Sequence, residues 1–179
     1  SDAKFFYEED QKMKIADAVA KLDNIVLHEE IGTLGEKVRR VRQISDQLGA
    51  ALSVSVEQAT TISRAADIFK FDLVTQMVYE FPELQGVMGE DYARKAGESE
   101  EVARAIFEHY QPRFAGDSAP ASLTGSIISI AEKMDTIVAC FSIGIIPTGS
   151  QDPYALRRQA AGIVQILLER ELPLTLEQI

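Results

Sequence analysis

Cysteine and histidine are scarce in this chain of 179 residues, which carries one Cys and two His. A single cysteine excludes an internal disulfide and suits a reducing compartment such as the cytoplasm. Cys140 sits beside Phe141 in the longest apolar stretch, Ile137 to Ile146. There a buried small hydrophobe is the expectation and a reactive thiol the alternative. Ser142 and Gly144 interrupt that stretch, which is too short to cross a bilayer. No signal or transit peptide pattern is visible, so a membrane partner is not expected. His28 and His109 lie far apart in sequence, each expected as a surface or half-buried side chain. Two isolated histidines support no serine triad and no Cys/His metal spacing. No glycine-rich phosphate loop is present either. Gly86-Val87-Met88-Gly89 lacks a following lysine, and its glycines suit a close helix approach or a local break. Net positive charge is also missing: the formal balance is −10 at pH 7. A free-standing nucleic-acid binder is usually basic. RNA contact would therefore need a local basic patch, or lie elsewhere in a larger protein.

What is present is helical periodicity, with no alternating strand pattern of useful length. Amphipathic spacing runs from Asp2 to about Met13 and resumes from Ile15 to Leu22, and Val26 to Gly32 reads as a turn or loop. Thr33 and Glu36 have the spacing of a capping box, in which each side chain answers an exposed backbone N–H. The helix they open puts Val38, Val41, Ile44, Leu48 and Leu52 on one face, with Arg39, Arg40, Arg42 and Asp46 largely on the other. Ser55 with Gln58 repeats the box and opens a helix to about Phe69. Asp72 starts another, ending near Phe81, and Pro82 suits the first turn of the next, which runs to about Ala96. Ser99 begins a helix to Tyr110, and a loop follows from Phe114 to Ser122. Leu123 to about Phe141 is apolar enough to be a central buried helix. Asp152 as N-cap and Pro153 as first residue open the last helix, to about Glu171. The fold class is all-α, one multi-helix bundle over 1–172. The chain has no initiator Met, and 173–179 reads as the start of a following segment of a longer chain.

Charge inside the central helix stands out. Glu132 and Asp135 lie in an apolar run where an unpaired charge is costly. A structural ion pair with another helix is the expectation and a functional role the alternative; Lys133, between them, points elsewhere on the helix. Two basic groups, Arg39-Arg40 with Arg42 and Arg157-Arg158, offer planar guanidinium forks that suit phosphate. Each group could equally be an exposed face or an intersubunit contact.

Several long irregular strings carry a resemblance across essentially the whole chain. They are Asp2-Ala3-Lys4-Phe5-Phe6, Asp72-Leu73-Val74-Thr75, and Glu80-Phe81-Pro82-Glu83-Leu84-Gln85-Gly86-Val87-Met88-Gly89. Gln111-Pro112-Arg113-Phe114-Ala115-Gly116-Asp117, Ala131-Glu132-Lys133-Met134-Asp135-Thr136 and Asp152-Pro153-Tyr154-Ala155-Leu156-Arg157-Arg158 follow in order. Together they resemble the β subunit of bacterial two-subunit glycyl-tRNA synthetase. The resemblance implies a ligase that joins glycine to tRNA-Gly with ATP, whose aminoacylation and ATP sites lie on the α subunit. This stretch of the β subunit would then carry no cofactor of its own. Its partners would be tRNA-Gly, the α subunit and the rest of the β subunit. It further implies a likeness to the HD phosphohydrolase fold, whose active members hold a divalent metal with a His, a His-Asp doublet and a later Asp. By that likeness the first His position falls at Lys37, the doublet at Phe69-Lys70 and the last Asp at Glu132. A lysine is a cation and a poor metal ligand. The implied site is degenerate, with Lys37 or Lys70 replacing the metal's charge and pairing with Glu132. A non-catalytic tRNA-contacting or scaffolding module is then the leading expectation. An active metal phosphohydrolase and a purely structural intersubunit domain are the alternatives.

Overall fold

The computed structural model describes residues 1–175, and the helix start expected at 176–179 lies outside the described residues. The described chain is almost entirely helical: α1 (Asp2–Asp10), α2 (Ile15–Lys21), α3 (Leu34–Ala51), α4 (Val56–Ile68), α5 (Gln76–Glu80), α6 (Val87–Lys95), α7 (Glu100–Glu108), α8 (Leu123–Ser142) and α9 (Leu156–Glu169). Helix α8 is the axis of the bundle, packed by α3, α4, α7 and α9. Its Ile127, Ile128, Ile130 and Ala131 are fully enclosed. They meet Val38, Val41 and Leu48 of α3, Ile62, Ala65 and Ile68 of α4, and Ile106 of α7 in one continuous core.

Local capping accounts for most helix starts. Thr33 and Glu36 form the reciprocal box at the start of α3, as their spacing predicts. Ser55, Ser99 and Ser122 each accept from a backbone N–H three residues on. The second expected box is only half made. Ser55 caps α4, but the Gln58 amide turns away to Thr124 Oγ1 at 2.7 Å, joining α4 to the first turn of α8. The start of α8 is fixed by a carboxylate from α7. Glu108 accepts from the Ala121 N–H at 3.0 Å and the Ser122 hydroxyl at 2.5 Å. Gly125 makes room for it, since a Cβ there would stand 2.5 Å from Glu108 Oε1.

Four expectations need correction. Residues 26 to 33 form a short antiparallel hairpin, β1 (Val26–His28) with β2 (Gly32–Thr33), in place of the expected turn or loop. Strands of two or three residues are too short to show a period of two. Asp72 sits in a 3-10 turn, Phe71–Val74, and α5 begins after Thr75 caps it. Pro82 likewise opens only a 3-10 turn, because Gly86, at φ +84°, breaks the chain before α6. Asp152 does cap α9, but from a distance. It accepts from the N–H groups of Leu156 and Arg157 at 2.7 and 3.0 Å, while Ala155 turns through the left-handed region at φ +52°. Helix α9 therefore starts three residues after the Pro153 start expected from sequence.

A buried carboxylate at the end of helix α1 ties it to the bundle, beside a hydrogen bond from the Tyr7 hydroxyl to Asp91. Asp10 accepts from the N–H groups of Gln76 and Met77 at the start of α5 and from the Tyr92 hydroxyl at 2.7 Å. Hydrogen bonds to a charged group contribute more than neutral ones. Asp10→Ala is expected to cost roughly 2–3 kcal/mol. The cost should appear as a lower urea midpoint with an unchanged slope.

Candidate functional site: a buried lysine–carboxylate centre

A group of the polar side chains that the bundle encloses converges where α3, the end of α4, the end of α7 and the middle of α8 meet. Lys37 projects from α3, and Phe69 and Lys70 follow the last turn of α4. His109 and Tyr110 follow α7, and Glu132, Lys133, Asp135 and Thr136 lie on successive turns of α8. Spacing by three and four residues puts Glu132, Asp135 and Thr136 on one strip facing α3.

Lys37, 6 % exposed, is ringed by oxygen. Its ammonium reaches Asp135 Oδ2 and Thr136 Oγ1, each at 2.9 Å, with the Glu132 carbonyl at 3.4 Å and Glu132 Oε1 at 3.7 Å. Arg40, one turn on, closes a two-pronged contact with the same Asp135, Nε at 2.7 Å from Oδ1 and Nη2 at 3.2 Å from Oδ2. Lys70 approaches Glu132 Oε1 from the other side at 3.8 Å and lies 4.3 Å from the centre of the Tyr110 ring. Both lysines named from sequence thus stand within 4 Å of Glu132, and Asp135 is the closer partner of Lys37. Phe69 is fully buried and meets His109 edge to face.

Electrostatics follow from this geometry. Burial alone would raise the Glu132 carboxyl, but Lys70 and Lys37 outweigh it and hold the group at about 2. Burial pushes the neighbouring Lys133 down to about 8, against the pull of Glu132. Lys133 does leave the Glu132–Asp135 strip, as expected, yet it stays buried, donating to Ser129 Oγ at 2.6 Å and the Gln111 carbonyl at 3.3 Å. His109 is not at the surface. It is 1 % exposed, and burial followed by the nearby Lys70 keeps its ring well below the usual histidine range. Its Nδ1–H donates to the Ile106 carbonyl at 2.5 Å, which leaves Nε2 as an acceptor with no partner. Sequence position favours a cation at this helix end. The long-range packing of Phe69 and Lys70 against His109 makes it a neutral core ring instead.

The arginines singled out from sequence have divided fates. Arg39 pairs with Asp23 at 3.0 Å, and Arg42 with Asp46 and Asp67 at 2.9 and 2.7 Å. With Arg40 held by Asp135, the whole α3 group is matched by carboxylates of the chain itself. Arg157 donates to the Thr148 carbonyl. Arg158 is exposed and makes no hydrogen bond or ion pair among the described residues. His28 is half-buried, its Nδ1 accepting from the Glu30 N–H at 3.1 Å. Cys140 is buried, and its burial raises the thiol.

Two open cavities flank Glu132. One, of about 420 Å³, is bordered by Gln85, His109, Arg113, Lys133 and Arg158. The other, of about 200 Å³, is apolar and runs between Leu27, Ile31, Ala139 and Tyr154. Among the described residues no three His, Cys, Asp or Glu side chains converge as a metal-binding set. No helix of the described chain is long and apolar enough to cross a membrane.

Fold and site together define a mostly helical bundle organised around carboxylates neutralised by lysine. Its sequence matches the family profile described as glycyl-tRNA synthetase beta subunit over residues 1–179, and the chain belongs to that family. It is 60% identical to the glycine–tRNA ligase beta subunit of Shouchella clausii over 177 residues and 59% identical to that of Halalkalibacterium halodurans over 179. Identity to the Bacillus subtilis protein of the same name is 57% over 179 residues. These alignments cover 99 to 100% of this chain but only 26% of each relative. The chain therefore spans about a quarter of the length of the relatives it matches.

Proposed function

We propose that this chain is a non-catalytic helical module of a bacterial glycine–tRNA ligase, set within the β subunit and serving tRNA contact or scaffolding. The whole enzyme would join glycine to tRNA-Gly in the cytoplasm, with ATP and the reaction centre on the α subunit. In this reading the bundle is a relative of the HD phosphohydrolase fold whose metal positions have become Lys37, Phe69 and Lys70 opposite Glu132. The observation that carries it is the pair of ammonium groups within 4 Å of one Glu132 oxygen. An ammonium has no lone pair to give a metal, and it supplies the positive charge that a metal would. An active metal phosphohydrolase fits this donor set poorly. Stoichiometric divalent metal in the purified enzyme, together with turnover of a generic phosphodiester, would overturn the proposal. Full aminoacylation with neither is the expected result.

A second reading, pure scaffold, is favoured by the pairing of Arg39, Arg40 and Arg42 with internal carboxylates, which leaves them little to offer phosphate. Under the tRNA-contact reading the burden falls on Arg157 and Arg158. Reversing both to Glu in the intact enzyme is expected to weaken tRNA binding about tenfold or more. It should also make the salt dependence shallower, its logarithmic slope falling by roughly one for each lost phosphate contact, with glycine and ATP use little changed. Equal tRNA affinity in the double variant would decide for the scaffold.

A further inference from the structure

Helices α1 and α5 leave a groove between them that shares no residue with the lysine–carboxylate centre. It encloses about 320 Å³ and is lined chiefly by Phe6, Leu73, Val74, Tyr79 and Glu80. Phe5 extends it, its ring meeting that of Phe6 edge to face at 6.1 Å. Tyr79 is 82 % exposed and Phe5 57 %. Holding α1 in place does not require them. Asp10 and Tyr7 tie that helix to the bundle, and their spacing puts them on the side away from Phe5. A lone exposed apolar side chain such as Val56 needs no partner, but a contiguous patch marks a contact surface. Aromatic anchors are also where the energy of such contacts concentrates.

The rim of the groove is acidic. Glu80 lines it, and Asp2 lies one turn before Phe5 and Phe6 on the same face of α1. Both carboxylates are exposed, and neither has an ion-pair partner among the described residues. Lys4 and Lys12, at either end of this stretch, are taken by Glu8 and Glu9. A partner that covers the aromatics therefore meets uncompensated negative charge, which suits lysine or arginine.

The size of the patch selects the occupant. An aromatic side chain carries about 150–250 Å² of surface, so the patch offers on the order of a few hundred Å². A freely diffusing partner needs about 800 Å² on each side for a stable complex, more than the patch supplies. A segment of the same polypeptide needs less, because tethering gives it an effective concentration on the order of millimolar. The relatives possess that additional chain, since this one covers only 26% of their length.

We infer that the groove between α1 and α5 seats a segment of the same β-subunit polypeptide from outside these 179 residues. The segment inserts apolar side chains between Phe6 and Tyr79 and sets lysine or arginine against Asp2 and Glu80. The inference rests on the reading of this chain as part of a longer β subunit.

The test is photo-crosslinking in the intact enzyme, both subunits at full length, with p-benzoylphenylalanine in place of Tyr79. The expected product runs at the mass of one β subunit. Mass spectrometry should place its link outside residues 1–179, at a yield that tRNA does not change. Phe5→Asp is expected to lower that yield about tenfold, the loss of one aromatic anchor. Glu80→Lys should lower it about threefold by turning attraction into repulsion. Glu80 is exposed, so this second variant decides should Phe5→Asp disturb α1. A link to the α subunit, to tRNA or to a second β subunit would overturn the inference. So would no link, or a yield unchanged in both variants. Stoichiometric metal and phosphodiester turnover alongside the expected link would reject the non-catalytic reading and leave the docking standing. An enzyme without metal, turnover or link would reject the docking alone.

Discussion

Asp135→Ala is expected to lower the unfolding free energy by about 3–5 kcal/mol, more than any other substitution proposed for this chain. Asp135 is 4 % exposed and takes both Lys37 and Arg40. Its removal leaves the buried Lys37 ammonium with Thr136 and a more distant Glu132. The cost is that of stranding a charge out of water, which exceeds the net worth of the pair itself. The distinction is measurable. Lys37→Met combined with Asp135→Leu removes both charges, and the double variant should recover most of the loss. Urea denaturation of the 179-residue chain reads both. A loss below about 1 kcal/mol for Asp135→Ala would place the pair among ordinary surface bridges and sink the account of this centre.

Acid should dismantle the same centre from the Glu132 side. The Glu132 carboxyl sits at about 2 in the fold, against an ordinary value of 4.5. A depressed carboxyl contributes stability that is present above its unfolded pKa and is lost as pH falls through the folded one. Glu132 therefore contributes fully above about pH 4.5 and loses its contribution between there and about pH 2. The amount is on the order of 3 kcal/mol, because a tenfold change in proton affinity corresponds to about 1.4 kcal/mol. Glu132→Gln should remove most of it at neutral pH and flatten stability against pH across that window. Parallel acid profiles for the variant and the parent chain would show that the lysines do not hold this carboxylate as described. Lys133 works in the opposite range. Its pKa is depressed from 10.5 to about 8, so its ammonium is disfavoured in the fold, and stability rises as pH climbs between those values.

Much of the bundle is legible in the sequence because its signals are local. The Thr33–Glu36 box, the Ser99 cap and the apolar run of α8 each depend on residues within one or two turns, and each stands where the sequence puts it. Besides the hairpin at residues 26 to 33, the departures are at Asp72, Pro82 and Asp152. The capping role of Asp152 is readable, but the intervening 3-10 turns and the left-handed Ala155 shift the helix starts. The site divides in the same way. Glu132 and Asp135 can be singled out because charge within an apolar helix demands partners. Of the partners of Arg39, Arg40 and Arg42 only Asp46, one turn from Arg42, is local, since Asp23, Asp135 and Asp67 come from three other segments. His109 is hidden for the same reason. Its helix-end position favours a cation, and only tertiary contact with Phe69 and Lys70 makes it neutral. Arg113 gives no signal of its own. An isolated basic residue looks like solvated surface until a cavity appears beside it.

The positive charge that balances Glu132 and Asp135 is covalently attached to the chain through Lys37, Lys70 and Arg40. A dissociable counter-ion stabilises a fold by mass action, in proportion to the logarithm of its free concentration. A tethered one has no free concentration. The centre is therefore always saturated, indifferent to chelators and to the supply of divalent ions, and its strength is set when the chain is synthesised.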